Sequence, residues 1–124
     1  MRTVAFALAA HPDDIEFMMA GTLLALGQAG WELHYLNLAD GSLGSATMDA
    51  GETARVRANE AKNAAELLGA TWHPPITADL GVFYVPEQIA KVCAVIRQTQ
   101  PTVLLLQSPQ DYMEDHINSV RPPP

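Results

Sequence analysis

Cysteine is almost absent from this chain: Cys93 stands alone among 124 residues. No intramolecular disulfide can form, which fits a reducing compartment. Cys93 lies in the apolar stretch Ile89-Ala90-Lys91-Val92-Cys93-Ala94-Val95-Ile96 and is expected to serve as a small core residue. Basic residues are scarce as well. The chain has 7 Lys and Arg against 14 Asp and Glu, a formal charge of -7. Nucleic acid and anionic membrane surfaces both need clustered positive charge, so neither is expected as a partner. Arg55, Arg57 and Lys62 sit close together but are too few for a basic groove. No apolar run approaches the roughly 18 residues of a membrane span. The apolar start of the chain leads into His11-Pro12-Asp13-Asp14 rather than a small-residue cleavage site. It therefore reads as a first strand of a cytoplasmic protein, not as a signal peptide. There is no internal repeat, and Pro122-Pro123-Pro124 is the only low-complexity segment. A Gly-x-Gly-x-x-Gly turn after the first strand is also missing, which argues against a dinucleotide site.

What remains is a globular composition, 48% hydrophobic and 17% charged, in a length that suits one domain over residues 1–124. Strand-like and helix-like patterns alternate. Strands are expected at Arg2–Ala9, Glu32–Leu38, Thr71–Ile76 and Thr102–Gln107. Helices are expected at Ile15–Ala29, Glu52–Leu68 and Pro86–Gln100, with Gly30 and Gly69 as stops and Pro86 at the first helical position. Pro74 and Pro75 make the third strand an edge or irregular one. The run Thr-Val-Leu-Leu-Leu-Gln at 102–107 reads as a strand buried on both faces. This order predicts an α/β fold: a Rossmann-like, mostly parallel sheet with helices on both faces. A doubly wound domain would continue past the last cluster, so the sheet is expected to be incomplete at the C-terminus. Either the chain is a fragment or a partner chain completes it. An uncovered edge and apolar faces favour self-association.

Two clusters carry chemistry. His11-Pro12-Asp13-Asp14 follows the first strand, and ligands in α/β proteins gather at the carboxyl ends of strands. Asp13 with Glu16 has the spacing of a capping box, which accounts for one carboxylate. It leaves His11 and the second Asp unexplained, and adjacent carboxylates repel unless a cation relieves them. Asp111-Tyr112-Met113-Glu114-Asp115-His116 follows the last strand. Alone, it could be a solvated acidic loop. Two strand ends of one parallel sheet share an edge, however, so a His from each plus one Asp would make a His2Asp metal site with an open position.

The first cluster, with Gly21-Thr22 and Gly30 downstream, resembles the LmbE/PIG-L-type zinc-dependent N-deacetylases. The resemblance extends through Asp40-Gly41-Ser42-Leu43-Gly44, Arg57-Ala58-Asn59-Glu60 and Asp111 to His116, nearly the whole chain. It implies that His11, Asp14 and His116 hold Zn2+, and that Asp13 is the general base acting on the attacking water. It implies substrate contacts at Arg57 and Asp79, and an N-acetylated sugar or glycoconjugate as substrate. Members commonly carry a His three residues before the last ligand, which helps stabilise the oxyanion. Here that position is Met113, which cannot donate a hydrogen bond. Tyr112 is a candidate substitute. Family members are also generally longer, with the later region shaping the substrate pocket. The alternative expectation is therefore a catalytically weak or inactive metal-binding relative that binds a ligand or partner.

Overall fold

The computed structural model describes residues 2–120; the Pro122–Pro124 run lies outside them. In chain order come β1 (Val4–Ala9), α1 (Asp14–Gln28), β2 (Glu32–Asn37), α2 (Ala50–Leu68), β3 (Ala70–His73), α3 (Pro86–Thr99), β4 (Val103–Leu105) and a short α4 (Glu114–Ser119). The four strands form one parallel sheet in the order β3-β2-β1-β4. The chain steps outward from β1 to β3, then returns to the other side of β1 for β4. The strand order therefore reverses between β1 and β4, the kind of switch point at whose carboxyl ends α/β sheets take ligands.

Every residue of β1 is buried, as befits a central parallel strand. On one face Ala5, Ala7 and Ala9 let α1 and α2 approach closely through Ile15, Met19, Leu23, Ala61 and Ala65. On the other, Phe6, Leu8, Leu36 and Leu38 pack against Val92, Val95 and Ile96 of α3. Helices thus cover both faces, as the alternation predicts.

Several details depart from expectation. β4 is not buried on both faces: Val103 is 38% and Leu104 44% exposed. It pairs only with β1 among the described residues, so one edge and part of its side-chain surface face outward. Cys93 is half-buried rather than in the core. It lines a largely apolar cavity of about 340 Å³ between α3 and the sheet, together with Leu8, Ile96 and Leu106. Phe17, Met18 and Leu24 of α1 point outward. β3 stops at His73, where Pro74 and Pro75 remove two ladder donors. α2 starts two residues early because the Asp49 carboxylate accepts the Glu52 N–H at 2.8 Å, a cap signal present in the sequence as Asp-x-x-Glu. The last cluster is not a loop throughout, since it forms the first turn of α4. No helix among the described residues is long and apolar enough to cross a membrane.

A polar chain runs across the α3 side of the sheet. Arg2 donates to Glu32 at 2.7 and 2.8 Å, Glu32 meets His34 Nε2 at 2.8 Å, and His34 Nδ1 meets His73 Nε2 at 2.8 Å. The last bond needs a lone pair on one ring. Burial, and then the charge of His34, hold His73 below its ordinary value of 6.5. A depressed His contributes stability that is complete above the unfolded value and fades as pH falls below it. We expect wild type to lose stability relative to His73→Gln as the pH falls from 6.5 toward about 5. Urea midpoints measured across that window test this; a constant difference would contradict it.

Candidate metal centre

The exits of β1 and β4 lie side by side, and Gln107 ties them together. Its Oε1 accepts the Ala10 N–H at 2.9 Å and the Ser119 hydroxyl at 3.4 Å. Past Ala10 the chain turns sharply, with the Asp14 N–H donating to the His11 carbonyl at 3.2 Å. His11 and Asp14 face the start of α4, which supplies His116. Among the described residues these three form the group able to hold a cation.

The donor atoms form a nearly equilateral triangle. His11 Nδ1 lies 3.3 Å from His116 Nε2 and 3.4 Å from Asp14 Oδ2. His116 Nε2 lies 3.2 Å from the same oxygen. Tetrahedral coordination with bonds of about 2.0–2.1 Å sets ligand atoms roughly 3.3 Å apart. Octahedral coordination by Mg2+ at about 2.0–2.1 Å would set neighbours nearer 2.9 Å, and its ligands would be oxygens. Two imidazoles and one carboxylate at this spacing fit zinc, with one tetrahedral position left for water or substrate.

Charge is concentrated here. Burial opposes a charged His11, but bonds to Asp14 and Asp115 and the charges of Asp79 and Asp14 outweigh it and raise its pKa to about 9. Burial alone would push Asp14 up, yet the His11 side chain and N–H and the charge of His116 bring it below its ordinary value. A cation entering the triangle would displace the His11 proton.

Asp13 lies outside the triangle. It is the N-cap residue of α1, but it adopts the left-handed conformation (φ 94°) and makes no side-chain cap bond. The capping-box reading of Asp13 and Glu16 therefore fails: Glu16 instead accepts the Tyr35 hydroxyl at 2.6 Å. The Asp13 side chain is 49% exposed and lies 3.1 Å from Arg57 Nη2. Burial, and then the charge of Asp14, raise its pKa, with Arg57 pulling the other way. A non-glycine residue at this φ is strained, and strain of this kind gathers at functional sites.

Arg57 also donates to the Pro12 carbonyl at 2.7 Å and to Glu60 at 3.0 Å. Gly41 (φ 77°) makes room for it; a β-carbon there would lie 3.1 Å from the Arg57 side chain and 3.2 Å from Pro12. Asp79 stands 3.9 Å from His11 Nε2. Its two oxygens accept the Gly41 and Leu43 N–H groups at 2.8 and 3.0 Å, so it holds the 40–44 loop in place. Met113 is the N-cap residue of α4 and places no polar side-chain atom there. Tyr112 is 91% exposed.

Two residues that sequence reasoning assigned no role stand directly behind the imidazoles. Asp115 Oδ2 meets His11 Nε2 at 2.8 Å, and Asp111 Oδ2 meets His116 Nδ1 at 2.9 Å. The only sequence signal was their acidity beside His116.

Residues 6–121 match the family described as PIG-L, GlcNAc-PI de-N-acetylase. A diacetylchitobiose deacetylase from Thermococcus kodakarensis is 33% identical over 109 residues, which cover 86% of this chain and 41% of that protein. The structure resembles an N,N'-diacetylchitobiose deacetylase from Pyrococcus horikoshii, with TM-score 0.84, 25% identity, and coverage of 94% of this chain and 46% of the other. It resembles equally well GalB, the 4-carboxy-2-hydroxymuconate hydratase of Pseudomonas putida, with TM-score 0.86, 25% identity, and coverage of 94% and 52%. The chain thus spans about half the length of these relatives.

Proposed function

The chain belongs to the PIG-L, GlcNAc-PI de-N-acetylase, family, and we propose that it is a zinc-dependent hydrolase removing the acetyl group from an N-acetylated sugar conjugate. The observation that carries this reading is the His11–Asp14–His116 triangle, with sides of 3.2–3.4 Å, beside a carboxylate left out of it. These three residues would hold the metal. Zinc, when bound, polarises an amide carbonyl and makes water a nucleophile near neutral pH. Asp13 accepts the proton of the attacking water and passes it to the leaving amine. Its raised pKa suits a group that must both take and return a proton. Arg57 keeps Asp13 and the Pro12 carbonyl in place. Arg57 and Asp79 are the substrate-side positions, contributing through the walls they fix. Two of the relatives are diacetylchitobiose deacetylases, which supports an N-acetylated sugar here.

Metal analysis together with amine release from N,N'-diacetylchitobiose tests the reading. About one zinc per chain with release of amine is expected, and a chain that takes up no zinc would refute it.

Met113 favours a second reading, a metal-binding relative with weak or no deacetylase activity. The likeness to a hydratase is consistent with this fold serving other water chemistry. A missing oxyanion donor costs on the order of 10²-fold in rate or more. On the second reading, Met113→His raises amine release by about that factor from a near-silent start. On the first, the wild type already turns over and the substitution changes little.

A further inference from the structure

The two imidazoles face the triangle through different ring nitrogens, His11 through Nδ1 and His116 through Nε2. Each remaining nitrogen points at a carboxylate. We propose that Asp115 and Asp111 are a pair of positioning residues that fix opposite tautomers on the two histidines, and that they thereby set the affinity of the site for its metal. The inference rests on the zinc reading above, and its test separates the two.

The geometry specifies what each does. A carboxylate only accepts hydrogen bonds, so the nitrogen beside it must carry the proton and the other must present its lone pair. Asp115 Oδ2, 2.8 Å from His11 Nε2, places the proton there and leaves Nδ1 for the metal. Asp111 Oδ2, 2.9 Å from His116 Nδ1, does the reverse on the other ring.

Both carboxylates are themselves held. Asp111 Oδ1 accepts the Met113 N–H at 3.0 Å, which fixes it against the N-cap of α4. Asp115 Oδ2 accepts the Leu80 N–H at 2.8 Å, and Leu80 holds a left-handed backbone (φ 65°) in doing so. The Asp115 side chain is 2% exposed and that of Asp111 22%. Carboxylates aimed at ligand imidazoles raise ligand basicity and remove the entropy of ring rotation; losing one typically costs about 10–100-fold in metal affinity.

The experiment is zinc titration against a competing chelator for wild type, Asp111→Ala and Asp111→Asn, with 15N NMR of the histidine rings in the zinc-loaded wild type. Asp111→Ala is expected to weaken zinc by about 10–100-fold, while the Asn oxygen, still able to accept the Nδ1 proton, restores most of it. The ring spectra are expected to show His11 bound through Nδ1 and His116 through Nε2. Thermal unfolding of the metal-free Asp111 variants checks that the fold survives. Affinity within about twofold of wild type in Asp111→Ala, or both rings bound through the same nitrogen, overturns the pairing and leaves the zinc reading standing. A wild-type chain that binds no zinc overturns both.

Discussion

Asp13→Asn is expected to retain about one zinc per chain and to lose roughly 10²–10⁴-fold in turnover, the usual contribution of a general base. Metal retention follows from position. The Asp13 carboxylate is not a corner of the triangle, and its nearest charged partner is Arg57 at 3.1 Å. Asparagine is the informative replacement because the backbone here is left-handed, φ 94°. Asn tolerates that region far better than Ala, so the turn between β1 and α1 keeps its shape. What disappears is the ability to accept a proton. Metal content and kcat measured on the same sample decide the matter. A loss below about tenfold with zinc retained would remove Asp13 from the base role. A loss accompanied by departure of the metal would mean that it is a ligand.

His116→Ala has the second large effect, on binding. It removes one corner of a three-residue site, leaves Asp111 Oδ2 without its imidazole partner and leaves Asp14 Oδ2 with His11 alone. Zinc affinity should fall well beyond the roughly 10–100-fold expected for a lost positioning carboxylate. Stability gives an independent reading. A ligand that binds only the folded state stabilises it by about 2.7 kcal/mol at a free concentration 100 times Kd. The wild type should therefore melt at a higher temperature as zinc is added, and His116→Ala should not. The metal-free variant should remain folded, since α4 stays anchored by Asp115 on Leu80 and by Asn118 on the Val82 carbonyl. A full zinc-dependent rise in Tm in the variant would remove His116 from the site.

Much of the scaffold under these predictions was legible in residue order. The β-α-β alternation, the stops at Gly30 and Gly69 and Pro86 at a helix start all act locally through backbone preference. They placed every element except α4 to within a few residues. The inference that two strand ends in a parallel sheet bring His11 and His116 together also held in the geometry, although 105 residues separate them. Where reading failed, a nonlocal contact had overridden a local signal. The Asp13–Glu16 spacing suits a capping box, but Glu16 is taken by Tyr35 of β2 and Asp13 by Arg57 of α2. The apolar run at 103–106 has the composition of a central strand, but strand order puts it at an edge. Composition reports what a segment could bury, not which neighbours it has.

The same division runs through the site. Residue types and strand ends pointed to His11, His116 and one Asp as a metal site; it was the family resemblance that singled out Asp14 and set Asp13 apart from the ligands. Only the tertiary structure decided which nitrogen of each ring faces inward, that Asp115 and Asp111 stand behind them, and that Arg57 braces Asp13. Those assignments depend on hydrogen-bond directions between segments that meet only when β4 pairs with β1, and a linear pattern carries no information about the angle at which they meet.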